Sequence, residues 1–550
     1  MKNALKWIVS ILLLIGFATG SYFWATGLIS SNFNYRSQIK DNPPLPGNAL
    51  GTASTERLVI VLIDALRYDT SMKPDVMPTL AQLRTQGASA LMHSQPPSFS
   101  EPGYSTLLTG AWPEINDGPA FNLDFEDIPT FTQDNLFSSA HRNGWKTAIS
   151  GYYWFEKLIP QSDVDLSFYT PGEDESADIE VMDAAMPWLQ KDEAQVVLIH
   201  IDQVDYAGHH QGGPQSPNWD AAATRADAML ADIASTLDFS KDTLVVLSDH
   251  GQIMTGGHGG QDPDCLLEPF VIVGSGVNPG QYPDIQMVDV APTLSALLGI
   301  NLPASAQGSV QSDMLTLPQE VLAVLPSATG DQQLGLLMAY SSALGKEDTA
   351  LKLLKSNSVS DTQTVIHDLR AQRLFSDRVK RAIPTGVLLA LAVTLLLRQR
   401  KNNSISWVLG GILFVALFNL RYLLIDRKVY SLSSIISQTD LIVYIASTTA
   451  VALILVWLVV NFYNKTFSSL PNQNGLKTLW LGFTVILIAG LPVLASYFLN
   501  GPVVSWTLPD YLISFLGLIG LIQILILSAL TPVLAGLTVA INAINRKFKK

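Results

Sequence analysis

A single cysteine, Cys265, in 550 residues excludes an intrachain disulfide and any cysteine-based zinc cluster. Charge is scarce as well. Charged residues make up 15% of the chain, where ~25% is usual for a soluble domain. With 48% hydrophobic residues, that scarcity excludes a disordered chain and points to membrane segments. A basic excess is also missing: the formal net charge is -13. All but three of the 47 acidic residues lie between Asp41 and Asp377. An acidic globular stretch beside a basic apolar one does not suit a nucleic-acid binder, and no nucleic-acid partner is expected. Internal repeats and low-complexity tracts are lacking too.

Apolar runs are what the chain has instead. Residues 5–29 are predominantly apolar, with Lys2 and Lys6 at their start. That is longer than the apolar core of a cleaved signal peptide, so an uncleaved anchor is expected. Five further runs follow Arg381: Ala382–Leu397, Ile405–Ile425, Leu441–Phe462, Leu479–Phe498 and Tyr511–Leu534. Most approach the ~20 residues that span a bilayer; the first is short. Six spans place both termini on one side. The bases at Lys2/Lys6, Arg398/Arg400/Lys401, Lys465/Lys477 and Arg546/Lys547/Lys549/Lys550 outnumber those at Arg378/Lys380/Arg381 and Arg421/Arg427/Lys428. The positive-inside rule then makes the termini cytoplasmic and the acidic part extracytoplasmic. The sequons Asn402 and Asn464 fall in the expected inner loops and the external part has none, which favours a bacterial cell membrane over a glycosylating lumen.

Within the acidic part, Arg57–Ile63, Gln195–Ile201, Thr243–Leu247 and Pro269–Val273 are continuous apolar runs of strand length. Such runs suit strands buried on both faces, as in a parallel sheet. Helical patterns at Met77–Gln86, Ala177–Leu189 and Asp220–Leu237 alternate with them. The expected fold class is α/β: a mostly parallel central sheet with helices on both faces, joined to an α-helical transmembrane region. The expected organisation is an anchor over 1–30, a linker over 31–56, a catalytic domain over 57–310, a helical juxtamembrane segment over 311–377 and a five-helix membrane region over 378–550.

Polar residues gather just after these strands. Asp64 follows the first, Asp202 and Asp205 the second, and Asp249 and His250 the third. Ligand sites of open α/β sheets lie at that edge. Five of the eight histidines fall between positions 200 and 258. Imidazole and carboxylate together suit zinc or a similar borderline metal. Singly, such an Asp is more often a cap or turn residue and such a His a surface or core residue; the joint pattern is what points to a metal.

The motifs VLIDALRYD (61–69), SFSEPGYSTLLTGAWPE (98–114), HIDQVDYAGHHQGGPQSP (200–217), SDHGQIMTGGHGG (248–260) and DVAPTLSALLGI (289–300) together carry a resemblance. The sequence resembles the alkaline-phosphatase superfamily in its type I phosphodiesterase/nucleotide pyrophosphatase branch. Within it, the chain looks most like the membrane phosphoethanolamine transferases of glycolipid-anchor synthesis. The resemblance implies two divalent metal ions, expected to be zinc. It assigns Asp205, His209 and His258 to one ion, and Asp64, Asp249, His250 and the nucleophile oxygen to the other. Ser100 matches the nucleophile. A free serine hydroxyl is a poor nucleophile, and metal ions can activate it. Pro102 fits a helix start there, whose N–H groups favour phosphate. Without the resemblance, Ser100 reads as an N-cap serine.

Two positions depart from related patterns. Nucleotide pyrophosphatases have an Asn three residues after the nucleophile; here it is Gly103. Tyr104 or Tyr152 is left as the second phosphate contact. Sulfatases need an Arg where this chain has Tyr104, which argues against sulfate esters. His200 is expected to orient a ligand; His210, Asp202, Asp262 and Asp264 are expected to be bystanders. The expected activity is phosphodiester chemistry through a phosphoserine-type intermediate, transferring phosphoethanolamine to a lipid or glycolipid. A type I phosphodiesterase hydrolase and a catalytically dead membrane scaffold are the alternatives.

Overall fold

The computed structural model describes residues 2–356, 362–398, 405–435, 437–466 and 471–548. The chain divides into two compact units. The first comprises Phe33–Arg373 with Trp506–Leu508; the second comprises Met1–Asn32, Leu374–Ser505 and Pro509–Lys550.

The first unit is built on one nine-stranded sheet. Its strands are β1 (Arg57–Ile63), β2 (Ala88–His93), β3 (Thr147–Tyr152), β4 (Leu166–Thr170), β5 (Val196–Ile201), β6 (Asp242–Leu247), β7 (Leu267–Gly274), β8 (Gly280–Gln281) and β9 (Ile285–Gln286). They run in the order β4-β3-β5-β1-β6-β7-β2-β8, with β9 also on β2. The pairs from β4 through β6 are parallel. Strand β7 is antiparallel to both β6 and β2. Its apolar run, Pro269–Val273, therefore belongs to the minority direction of the sheet. A run buried on both faces reports burial, not strand direction.

All seven residues of β1 are buried. Leu58, Ile60 and Leu62 face one core, shared with the helices Ser100–Thr109, Leu136–Arg142 and Val290–Leu297. Val59, Val61 and Ile63 face the other, shared with Pro78–Gln86, Glu175–Gln190 and Pro217–Ser235. The period of two along a strand sends alternate side chains to opposite layers. Each fully buried Val, Leu or Ile contributes about 1.5–3 kcal/mol. The stretch expected as a linker carries buried Tyr35, Ile39 and Leu50, and the Leu50 N–H donates to the Gly299 carbonyl at 2.9 Å. The stretch from 311 holds helices Gln319–Ala343 and Glu347–Ser356 and the start of Thr362–Arg398.

The second unit is helical. Among the described residues, five helices are long and apolar enough to cross a membrane by length and composition: Asn3–Phe33, Ile405–Ile425, Thr439–Tyr463, Asn474–Leu499 and Tyr511–Lys547. The short run Ala382–Leu397 forms the end of Thr362–Arg398 and is not among them. At ~1.5 Å per residue it falls short of a ~30 Å apolar core. Close approach of these helices rests on small residues: a Cβ on Gly482 would meet Thr531 at 2.2 Å. Arg400, Lys401, Asn402, Lys549 and Lys550, used in the sidedness argument, lie outside the described residues.

Candidate metal and phosphoryl-transfer site

Strands β5, β1 and β6 are neighbours and parallel, with Ile63 beside Ile201 and Leu62 beside Leu247. Their C-terminal ends therefore open on one edge, and Asp64, Asp202 and Asp249 meet there. Ala65 turns at φ 60°, and its N–H donates to Asp249 Oδ1 at 3.2 Å. A left-handed alanine costs roughly 1–2 kcal/mol; here that conformation ties the ends of β1 and β6 together. The helix Gln203–His210 starts immediately after β5 and carries Asp205 and His209 one turn apart. The loop after β6 supplies His250 and His258.

Ser100 is the first residue of the buried helix Ser100–Thr109, whose N-cap is Phe99. Its hydroxyl makes no cap; Ser100 Oγ lies 3.1 Å from His250 Nε2. Gly103 is what lets this helix approach. A Cβ there would meet Asp249 Cβ at 2.8 Å and its carbonyl oxygen at 2.9 Å. An Asn at this position has no room.

The six expected ligands converge in two groups sharing an edge. His250 Nε2 lies 3.4 Å from both Asp64 Oδ1 and Asp249 Oδ2. His209 Nε2 lies 3.4 Å from Asp205 Oδ2 and 2.9 Å from His258 Nε2. His258 Nε2 lies 3.7 Å from Asp205 Oδ1. Donor atoms of Asp205, His250 and His258, and of Asp64, Asp249 and His250, each fall within 4.8 Å of one another.

These residues fit metal ions. Nδ1 of His250 meets the Gly251 carbonyl, and Nδ1 of His258 meets the Ser98 carbonyl, each at 3.1 Å. A carbonyl only accepts, so both Nδ1 atoms carry the proton and both Nε2 atoms present lone pairs. Those lone pairs face carboxylates. Asp64 Oδ1 and Asp249 Oδ2 are buried with no hydrogen-bond partner. Converging lone pairs without donors call for a cation. The charge balance agrees. Burial first, then the Asp64 and Asp205 charges, pushes the Asp249 carboxyl well above its usual range. Burial, then His250, pushes the His258 imidazole well down, so it stays neutral as a ligand must. Burial also pushes Asp205 up, but His209, His258 and His250 together outweigh it and hold it below the usual range.

Two tyrosines named as phosphate contacts are engaged elsewhere. Tyr104 is buried, and its hydroxyl contacts Asp64 Oδ2 and, at 3.0 Å, His200 Nε2. The Tyr152 hydroxyl donates to Glu173 Oε1 at 2.7 Å. His200 Nε2 also lies 3.0 Å from Asp64 Oδ2, so it does abut a ligand carboxylate. His210 is exposed and lies against Tyr206, and Asp264 pairs with Arg67 at 3.3 Å. Sequence reasoning missed Gln252. This buried side chain donates to Asp205 Oδ1 and so orients it. An amide two residues beyond His250 carries no sequence signal of that role.

Residues 58–262 match the family model "Type I phosphodiesterase / nucleotide pyrophosphatase". The human GPI ethanolamine phosphate transferase 2 catalytic subunit is 28% identical over 304 residues, covering 50% of this chain and 30% of that protein. GPI ethanolamine phosphate transferase 2 of Yarrowia lipolytica is 26% identical, covering 60% of this chain and 42% of its own length. The Candida albicans protein of the same name is 24% identical over 511 residues, covering 85% and 56%. The chain thus spans about a third to a half of the length of these curated relatives. Murine ectonucleotide pyrophosphatase/phosphodiesterase 5 aligns over 47% of this chain and all of that one, at 14% identity and a TM-score of 0.40. Residues 58–262 are thus similar to the type I phosphodiesterase/nucleotide pyrophosphatase family and, in sequence, to the GPI ethanolamine phosphate transferases.

Proposed function

We propose that this integral membrane protein transfers phosphoethanolamine from a lipid phosphodiester to a hydroxyl of a glycolipid, with Ser100 as nucleophile. The observation that carries the proposal is Ser100 Oγ at a helix start, 3.1 Å from His250 Nε2 and beside six convergent Asp and His side chains. Asp205, His209 and His258 would hold one divalent ion. Asp64, Asp249, His250 and the Ser100 oxygen would hold the other. The mix of imidazole and carboxylate favours zinc. When bound, the two ions lower the cost of negative charge on the serine and phosphate oxygens.

Ser100 Oγ forms a bond to phosphorus, and the donor alcohol leaves with its electron pair and takes up a proton. The acceptor hydroxyl then bonds to phosphorus, loses its proton and releases Ser100. Of the first N–H groups of the helix Ser100–Thr109, that of Glu101 donates to Asn122 Oδ1 at 3.1 Å and Pro102 has none, so the Ser100 N–H is the helix-start donor left for a phosphate oxygen. Water in place of the acceptor would make the same machinery a hydrolase. The transferase names of the relatives, and five apolar helices that a soluble diesterase has no use for, favour transfer. A dead scaffold has no reason to keep a complete ligand set. The extracytoplasmic placement of the catalytic domain rests on the six-span reading, with Ala382–Leu397 counted as a span; the five long apolar helices alone do not give that positive-inside count. The bacterial membrane rests on the sequon pattern alone; the relatives named above are eukaryotic.

The test is mass spectrometry of purified full-length protein incubated with phosphatidylethanolamine. A phosphoethanolamine adduct on Ser100, discharged by added glycolipid and only slowly by water, is the expected result. Discharge by water at the same rate makes it a hydrolase. Absence of any adduct or product from zinc-loaded protein overturns the proposal.

A further inference from the structure

Asp202, expected to be a bystander, sits where the chemistry has a use for it. It ends β5, and its N–H donates to Asp178 Oδ1 at 2.8 Å, which pins the backbone. The residue is only 6% exposed. Its carboxylate nevertheless accepts no hydrogen bond and makes no ion pair among the described residues. A carboxylate atom of Asp202 lies within 4.8 Å of a donor atom of Asp64 and one of His200. It thus lies on the same edge as Asp64, whose other oxygen faces His250 beside the nucleophile. A buried carboxylate left without a partner is costly, and so asks for a cation.

The neighbouring strand closes the recess. Strand β3 runs parallel to β5 with Ser150 beside Ile199. Two residues further on, Tyr152 comes alongside the end of β5 and Asp202. Tyr152 holds Glu173 by its hydroxyl. The Tyr153 and Trp154 rings each lie 4.8 Å from the Tyr152 ring, and both are half-buried. One unpaired carboxylate, a second held by the hydroxyl of the neighbouring Tyr152 and aromatic rings around that tyrosine suit an alkylammonium group. A third divalent ion suits the place less well, because the Tyr104 hydroxyl already takes up Asp64 Oδ2 and His200 Nε2.

We propose that Asp202, with Glu173 and the Tyr152–Trp154 rings, forms the subsite for the ammonium of the phosphoethanolamine group. This rests on the reading of the site given above. In ethanolamine phosphate, two carbons separate the ester oxygen from the nitrogen. A phosphate ester at Ser100 would extend its ammonium toward Asp202, since Asp64 neighbours both Asp202 and the His250 that Ser100 meets. The subsite selects an ethanolamine ester over an uncharged ester of the same size.

The experiment is calorimetric titration of the zinc-loaded full chain in detergent with O-phosphoethanolamine and with propyl phosphate. These differ by an ammonium in place of a methyl group. The wild type should bind phosphoethanolamine at least ~10-fold more tightly. Asp202→Asn should abolish that preference while leaving propyl phosphate affinity within about twofold, and Glu173→Gln should reduce it. Equal affinities in the wild type, or a preference that survives Asp202→Asn, overturns the subsite. So does loss of propyl phosphate binding in Asp202→Asn, or a third equivalent of zinc that this variant alone loses. A wild type that prefers phosphoethanolamine yet forms no adduct on Ser100 overturns the transfer reaction and keeps the subsite. Transfer without preference does the reverse.

Discussion

Ser100 and the imidazoles around it have distinct jobs, and one measurement separates them. Ser100 contributes at most one ligand among several, so Ser100→Ala should lower turnover at least ~10³-fold and keep metal content near that of the wild type. His258→Ala removes an imidazole whose Nδ1–H is anchored on the Ser98 carbonyl. It should lose about one metal equivalent, whereas His141→Ala, at an exposed surface histidine, should lose none. Metal analysis of the three variants decides. Metal loss from His141→Ala equal to that from His258→Ala would sink the ligand assignment. The motif made these residues candidates, but it did not show their tautomers. Those depend on the carbonyls of Ser98 and Gly251, backbone groups with no signature in the sequence.

At the scale of elements, the helix Ser100–Thr109 is held against the end of β6 by the missing side chain at Gly103. In Gly103→Ala, the new Cβ meets Asp249 at 2.8 Å, against backbone as well as side chain. The helix must move by several tenths of an ångström. Overpacking of this kind costs about 1–3 kcal/mol, and a displaced nucleophile costs up to ~10²-fold in rate. Thermal unfolding and kcat/KM should therefore fall together in this variant. Unchanged kcat/KM would show that the helix position is not what matters. The strands β1, β5, β6 and β7 and three of the helices were legible as apolar runs and periodicities. Strands β2, β3 and β4 were not. Ala88–His93 and Thr147–Tyr152 mix small and polar residues whose burial comes from their neighbours.

On the scale of the whole molecule, buried acids make stability depend on pH. Glu268 on β7 is fully buried, and among the described residues its carboxyl hydrogen-bonds Ser94, by the hydroxyl at 2.7 Å and the N–H at 3.2 Å. Burial pushes it well above the ordinary glutamate range. The folded state thus keeps the proton while the unfolded state loses it above ~4.3. This contribution to stability is present in full below that value and erodes as pH rises. Glu268→Gln keeps the neutral form and both contacts. Its melting temperature should exceed that of the wild type at pH 8, and the gap should narrow at pH 5. A gap that widens on acidification would contradict the sign. The sequence by itself determined the α/β class, the apolar helices and the gathering of Asp and His residues after the strands, because burial periodicity and ligand chemistry are local properties of residue type; the resemblance picked the six ligand candidates among them. Only the tertiary structure decided the direction of β7, the engagement of Tyr104 with Asp64 and the unpaired state of Asp202. Those follow from which chain segments lie side by side, and separation along the chain does not encode that.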